Sequence, residues 1–598
     1  MSSLWRLCFE LGGVPIGGAI MDAEYDLLIR DGWVVDGRGG EPVQADVAVS
    51  GGRIRAVGKL TGAAREVIDA TDHIVVPGFV DIHTHYDGQV SWESRLVPSS
   101  SHGVTTAVMG NCGVGFAPCR PEQHELLIQL MEGVEDIPHP VLVDGLPWAW
   151  ESYPDYLDFL AARQYDMDIC GYVPHAPVRV YAMGQRGADR EPATADDLAA
   201  MARIVAEAVR AGAMGFSTSR TFFHRSSDGR STPSFEAAEA ELMALGGALR
   251  QEGRGAMQLI TDFDAPEATL DLLLRLVKAA GRPLSVSLLE GTYGPMTLDW
   301  RTVLDCFAAA GAQGLPIKAQ VLSRAIGVML GHELTLNTFY TCDSYKPLAA
   351  LPFEERIRAL RQPEMRARLL AEAADPDPTI VLGRLAREFD HMFLLGDPPD
   401  YEQPLENSIA ARAARLGVSP EALVYDLMLE RDGRNNLYVT LCNYEHGSLE
   451  SSREMMQHPG AVLGLGDGGA HCGTICDGSY PTFMLTHWVR DRQRGARLPL
   501  QDVIKWLSHD TAQAVGLCDR GVLAPGYKAD INVIHPGRLT LHAPEVAHDL
   551  PGGGRRLVQR ADGYAATVVS GAVVYRDGQP TGALPGRLVR GAQAAPVH

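Results

Sequence analysis

The chain has 598 residues, of which 46% are hydrophobic, so it can bury the core of one large barrel and a smaller domain. Its formal net charge of -21 argues against nucleic acid or an anionic membrane as a partner, because both attract basic proteins. Ten cysteines without a paired spacing pattern favour a reducing, cytoplasmic location.

Residues 1–22 are expected to be an N-terminal extension. The apolar residues of this segment are interrupted by Arg6 and Glu10, which is typical of neither a signal peptide nor a membrane helix. Met21 is an alternative to Met1 as the first residue.

Short alternating runs at both ends of the chain predict a small β domain. In residues 23–77 these runs are separated by turn-like pairs at Asp31-Gly32 and Gly51-Gly52. Similar runs return in residues 516–598, which also include a C-terminal tail. We therefore expect one β-sandwich domain formed by both termini.

In residues 78–515, eight short apolar runs alternate with helical patterns, and this alternation predicts a TIM-like (β/α)8 barrel. One of those helices is expected over 195–211, with Thr194 as its N-cap and Asp197 three residues later. In this fold the functional side chains lie at the C-terminal ends of the strands. The predicted strands are 79–85, 105–111, 167–174, 213–218, 256–262, 284–289, 316–321 and 461–466.

The interval between the seventh and eighth strands is about 140 residues, too long for a simple loop. We expect an inserted helical region over about 330–455, with one helix over 353–373 and another that starts at Ser419-Pro420. Such an insertion can form a lid or pocket wall, and a simple surface elaboration is an equal alternative.

A histidine pair marks the end of the first barrel strand. His83 and His85 follow a buried apolar run, and alternate residues of a strand share one face, which predicts half of a metal site. At the end of the second strand, Cys112 is either a soft zinc ligand or a small buried hydrophobe. Asp467, between two glycines after the eighth strand, can contact a metal ion and also carry a proton.

These residues lie in stretches that resemble a known family. Residues 76–85, 103–113 and 466–468, with the split β domain, resemble the amidohydrolase superfamily and, within it, the N-acyl-D-amino-acid deacylases, or D-aminoacylases. The resemblance runs from about residue 25 to residue 590. It implies that His83, His85, Cys112 and Asp467 bind or serve zinc.

The sequence departs from the family at the fifth and sixth strands, where the family's lysine near the substrate carboxylate is also missing here. The family also places a histidine on the fifth strand and another on the sixth, and neither predicted strand contains one here. We therefore expect one divalent ion rather than two, with zinc first and manganese or cobalt as alternatives. Asp262 or Glu290 could supply a substitute oxygen ligand.

Four further residues near the strand ends are candidates for substrate binding. Arg220 could hold a carboxylate with its guanidinium fork, although a structural salt bridge is an alternative. His224 follows it, and His175 closes the third strand, where it is a substrate contact or a satisfied core histidine. His471 lies four residues beyond Asp467, as a neighbour of the metal ligands or a turn residue.

The predicted activity is metal-dependent hydrolysis of the amide bond of N-acyl-amino acids, with the D configuration implied by the resemblance. In this mechanism the metal ion activates a water molecule, and Asp467 acts as general base and then general acid. The alternatives are a cyclic amidase, similar to hydantoinases or lactam hydrolases, and a metal-poor pseudo-enzyme that only binds. The partner is a small molecule, and the sequence leaves open whether the chain forms a homo-oligomer.

Overall fold

The computed structural model describes residues 23–291, 299–373 and 381–597, so the expected extension 1–22 and the choice of first residue lie outside it. Eight parallel strands form the predicted TIM-like barrel, and a bridge between Thr84 and Gly468 joins the first strand's end to the eighth. The barrel strands are Phe79–Asp81, Val104–Met109, Asp168–Gly171 with Val173–Pro174, Gly215–Arg220, Ala256–Thr261, Leu284–Ser287, Ile317–Val321 and Ala461–Leu463.

The first barrel strand is shorter than predicted, because regular pairing ends at Asp81. Two backbone hydrogen bonds still hold the next residues between the neighbouring strands. Thr84 N donates to Val108 O over 3.0 Å, and His85 N donates to Gly468 O over 2.8 Å. The histidine pair therefore lies beyond the strand, on backbone that both neighbours restrain.

Helices cover the outside of the barrel. The predicted helix Ala195–Ala211 is confirmed with its N-cap, since Thr194 Oγ1 accepts a hydrogen bond from Asp197 N over 3.2 Å. The longer barrel helices are His124–Glu135, Tyr153–Ala161, His175–Met183, Ala195–Ala211, Glu239–Glu252, Pro266–Ala280 and Trp300–Ala312, and Leu500–Lys505 follows the eighth strand.

The small β domain draws strands from both ends of the chain, as predicted. Ile74–Pro77 pairs in parallel with the first strand of the chain and antiparallel with Ile531–Ile534, so it joins the two parts. The strands of this mixed sheet are Tyr25–Val34, Val43–Ser50, Arg53–Gly58, Ala64–Asp69, Ile74–Pro77, Ile531–Ile534, Tyr564–Val569, Ala572–Arg576 and Gln579–Pro580.

The predicted turn at Asp31-Gly32 is wrong. Tyr25–Val34 is one strand whose register shifts at this pair, which makes the pair a bulge. A side chain at Gly32 would approach Val75 to 2.4 Å, so the glycine serves close packing here and not chain reversal.

The insertion contains a three-stranded antiparallel sheet and helices around a hydrophobic core of its own. The helix expected over 353–373 is two helices, Phe353–Leu360 and Pro363–Ala373. The first ends before Pro363, because proline has no backbone N–H to continue a preceding helix. Ser419 caps its helix as predicted. The strands are Ile326–Leu330, Met392–Phe393 and Leu437–Cys442, and the helices are Lys346–Ala349, Phe353–Leu360, Pro363–Ala373, Val381–Leu385, Ile409–Leu416, Pro420–Met428 and Glu450–Gln457.

Among the helices of the described ranges, none has the length and apolar character needed to cross a membrane.

Candidate metal centre

Four donor side chains converge at the C-terminal ends of the first, second and eighth barrel strands. One donor atom each of His83, His85 and Cys112 lies within 4.8 Å of the other two, and all three residues are buried. Cys112 Sγ is 3.3 Å from His83 Nε2. Asp467 Oδ1 completes the group, 3.4 Å from His83 Nε2 and 3.5 Å from His85 Nε2.

The other ring nitrogen of each histidine lies close to a side-chain oxygen. His83 Nδ1 hydrogen-bonds Gln320 Oε1 over 2.5 Å, and His85 Nδ1 lies 3.3 Å from Glu135 Oε1. Both Nε2 atoms are thereby directed toward Cys112 and Asp467. Two imidazoles, a thiol and a carboxylate are ligands that zinc prefers, and histidine ligands normally have such an outer partner. The donor set therefore fits a divalent ion.

Backbone geometry places the cysteine and the aspartate. Cys112 has a φ of 56° and its N–H donates to Gln258 Oε1 over 2.7 Å. Asp467 has a φ of 47° and its N–H donates to His83 O over 3.0 Å. A side chain at Gly466 would approach Asp81 Oδ2 to 2.4 Å, which explains the glycine before Asp467.

Burial and mutual charge set the protonation of the four donors. Burial raises the pKa of Cys112 to about 12 and lowers the pKa of His83 to about 4. Burial also opposes the ionisation of His85, but the charge of Glu135 and the hydrogen bond with Asp467 raise its pKa well above the usual range. Burial likewise opposes the charge on Asp467, but its hydrogen bond with His85 and the charges of His83 and His85 hold its pKa well below the usual range.

Glu135 and Asp136 connect this site to the surrounding loops. Glu135 ends the helix after the second strand and is 1% exposed, and its Oε2 lies 3.6 Å from His471 Nε2. Asp136 accepts hydrogen bonds from Gly473 N over 3.0 Å and from the Thr335 hydroxyl over 3.0 Å. The loop after the eighth strand and the insertion are therefore fastened to the same helix end.

Of the predicted substrate-binding residues, the structure brings His224 and His471 near the four donors. His471 shares Glu135 with His85. His224 Nδ1 is 2.9 Å from Ser219 Oγ, and burial together with the charge of His85 lowers its pKa to about 3. His224 is thus a neutral imidazole beside the site.

His175 and Arg220 have partners within the fold, which favours the structural alternative for His175 and leaves substrate binding by either residue a prediction. His175 Nδ1 is 2.8 Å from the Thr218 hydroxyl and its Nε2 is 2.7 Å from Glu241 Oε1, so both ring nitrogens have structural partners. Arg220 donates to the carbonyl of Ala237, and the charges that act on its pKa come from Glu236, Asp264 and Glu241.

The fifth and sixth strands contribute amide and hydroxyl groups in place of histidines. Gln258 Nε2 donates to Ser287 Oγ over 3.4 Å, while its Oε1 binds the backbone of Cys112. The suggested substitute ligands also lie elsewhere. Asp262 accepts from the Thr221 hydroxyl over 2.6 Å, and Glu290 belongs to a separate group of potential ligands.

Sequence reasoning missed Glu135, Gln320 and Gln258. Each glutamine is a buried polar residue in a short barrel strand that also contains another polar residue, Lys318 or Thr261, so the strand pattern alone does not single it out. Glu135 is one of several acids on an ordinary amphipathic helix, so only the fold distinguishes it.

Comparison with known proteins gives consistent results. The family model described as "Amidohydrolase family" matches residues 66–575. The N-acyl-D-aspartate deacylase of Alcaligenes xylosoxydans xylosoxydans is 27% identical over 96% of this chain and 97% of its own length. The D-aminoacylase of the same organism is 25% identical over 94% and 97%.

Among solved structures, the N-acyl-D-glutamate deacylase of Bordetella bronchiseptica, crystallised with zinc and a phosphonate inhibitor, has the same fold. Its TM-score is 0.60 at 23% identity, with 95% of this chain and 99% of that chain covered.

Proposed function

Because this chain belongs to the amidohydrolase family, we propose that it is a deacylase of N-acyl-D-amino acids. Family membership makes the chain a metal-dependent hydrolase of carbon–nitrogen bonds other than peptide bonds. The observation that carries the proposal is the convergence of His83, His85, Cys112 and Asp467 at the strand ends. The N-acyl-D-amino acid class comes from the names of relatives that match over nearly the whole chain.

His83, His85, Cys112 and Asp467 would hold the ion in this proposal. When bound, a divalent ion polarises an amide carbonyl and makes water more acidic. The protein itself orients the two imidazoles. Gln320 hydrogen-bonds His83, and Glu135 lies beside His85, whether or not an ion is bound. His85 and Cys112 would have to lose their protons to hold the ion, because ligands must be deprotonated.

Asp467 carries the proton in this mechanism. Its low pKa means that the carboxylate is ionised at neutral pH and can accept a proton from the attacking water. The water oxygen bonds to the acyl carbon, and Asp467 then donates its proton to the nitrogen as the carbon–nitrogen bond breaks, so the products are the free amino acid and the carboxylic acid of the acyl group. The Asp467 backbone is held in place, because its N–H donates to His83 O over 3.0 Å.

A single ion accounts best for the donor set. Gln258 and Ser287 occupy the fifth- and sixth-strand positions with groups that hydrogen-bond each other. Since an amide and a hydroxyl are weak ligands, one zinc ion is proposed, with manganese or cobalt as alternatives. His224 and His471, which lie beside the four donors, are proposed to contact the substrate.

The proposal is tested with a chiral panel of N-acyl-amino acids and a panel of cyclic amides, each assayed on protein of known zinc, manganese and cobalt content. We expect turnover of linear N-acyl-D-amino acids, with little or none for the L enantiomers. Ring opening without linear turnover would replace the proposal with a cyclic amidase. Protein that binds no metal and hydrolyses neither panel would indicate a binding protein.

A further inference from the structure

A second group of potential metal ligands lies where the insertion returns to the barrel. Glu290 follows the sixth barrel strand, and Glu445 with His446 follows the insertion strand Leu437–Cys442. One donor atom of each lies within 4.8 Å of the other two. This group shares no residue with His83, His85, Cys112 and Asp467.

Glu290 supplies an independent reason to expect a cation. Its side chain is 6% exposed, and its Oε1 accepts a hydrogen bond from the Ser451 hydroxyl over 2.5 Å. Its other oxygen, Oε2, is buried, and no residue of the described ranges hydrogen-bonds to it. A buried carboxylate oxygen without a partner is costly, and a second carboxylate nearby, that of Glu445, adds repulsion. A cation would relieve both.

The backbone around the group is already fixed. Glu290 N donates to Asn443 Oδ1 over 2.8 Å, and Asn443 N donates to Glu290 O over 2.8 Å. This reciprocal pair fastens the loop that carries Glu445 and His446 to the end of the sixth strand. The three donors are therefore held near one another by contacts that no ion is needed to form.

From these contacts we propose that Glu290, Glu445 and His446 form a second divalent-cation site, which fastens the end of the insertion to the rim of the barrel. Two carboxylates and an imidazole suit zinc, cobalt or manganese, and the set lacks a thiolate. Because Glu445 and His446 are exposed, water completes the coordination and the ion exchanges more readily than at the buried centre. An ion bound only by the folded protein also stabilises it.

The test uses the full chain, stripped with a chelator and equilibrated by dialysis against a series of free cobalt concentrations. We expect the wild type to bind two cobalt ions per chain. One of them, near Cys112, gives a thiolate-to-cobalt charge-transfer absorption, and the other does not. The double variant E445Q/H446A alters only exposed side chains and is expected to bind one ion with that absorption intact.

The matched control is E454Q/H458A, which removes an exposed acid and a histidine at the neighbouring helix Glu450–Gln457. We expect this control to bind two ions. Cobalt should raise its melting temperature as much as it raises that of the wild type, and more than it raises that of E445Q/H446A. A wild type that binds only the ion with the thiolate absorption overturns the proposal. The proposal is also overturned if E445Q/H446A still binds the second ion. It is overturned as well if the second ion is lost in Cys112→Ser and not in E445Q/H446A.

Discussion

Glu135 Oε1 lies 3.3 Å from His85 Nδ1, on the side of the imidazole opposite the converging donors. Its second oxygen lies 3.6 Å from His471 Nε2, so one buried carboxylate lies close to two histidines from two different loops. This contact selects the orientation of His85 in which Nε2 is directed at Asp467. A carboxylate behind a histidine ligand also makes the imidazole a better donor.

Glu135→Gln tests this relationship. The amide keeps the size of the side chain but removes its charge, so we expect divalent-ion affinity to fall by about 10- to 100-fold. Affinity is measured by competition with a chromophoric chelator. Glu125→Gln, an exposed glutamate of the same helix that pairs with His139, is the control and should bind as the wild type does. Unchanged affinity in Glu135→Gln would show that the carboxylate only packs.

Asp467→Asn separates proton transfer from ion binding. The variant retains an oxygen at the same place, but an amide cannot accept and return a proton. We expect kcat to fall by roughly 10²- to 10⁴-fold, with ion content largely kept. Initial rates and elemental analysis of the same samples give both quantities. Asp491→Asn, an exposed aspartate that pairs with Arg490, should retain activity. Near-normal kcat in Asp467→Asn would assign the proton to another group.

Cys112→Ser changes the preference among metal ions. Replacing a soft thiolate by a hydroxyl weakens zinc binding by more than about tenfold and leaves manganese binding nearly unchanged. Parallel titrations with the two ions measure the ratio. Cys306→Ser, a partly buried cysteine of helix Trp300–Ala312, is the matched control. A ratio that stays constant in Cys112→Ser would exclude the thiol as a ligand.

The sequence predicted the features that depend on local pattern. The barrel followed from eight apolar runs, and Thr194 from a capping pattern three residues long. The rule that strand ends of a barrel meet at one face grouped His83, His85, Cys112 and Asp467 together with His175, and the family resemblance selected the first four as zinc residues.

Features that depend on distant contacts could not be predicted. Gln320 binds His83 across 237 residues of chain, and no pattern near either residue indicates the partner. The sequence could not show that Glu241, which is distant in the chain, lies beside the ring of His175. In the small domain, Asp31-Gly32 has the composition of a turn, but packing against Val75 makes it a bulge.

Glu402→Gln tests a buried ion pair of the insertion. Glu402 accepts hydrogen bonds from Arg492 over 2.8 and 3.0 Å and from His487 over 3.0 Å. Burial opposes its charge, but these bonds outweigh burial and lower its pKa from 4.5 to about 2.

The carboxylate therefore stabilises the fold fully above about pH 4.5, and this contribution, on the order of 3 kcal/mol, is lost as the pH falls toward 2. We expect the difference in urea midpoint between wild type and Glu402→Gln to shrink over that interval. A difference that stays constant with pH would mean that Glu402 is not the group that titrates.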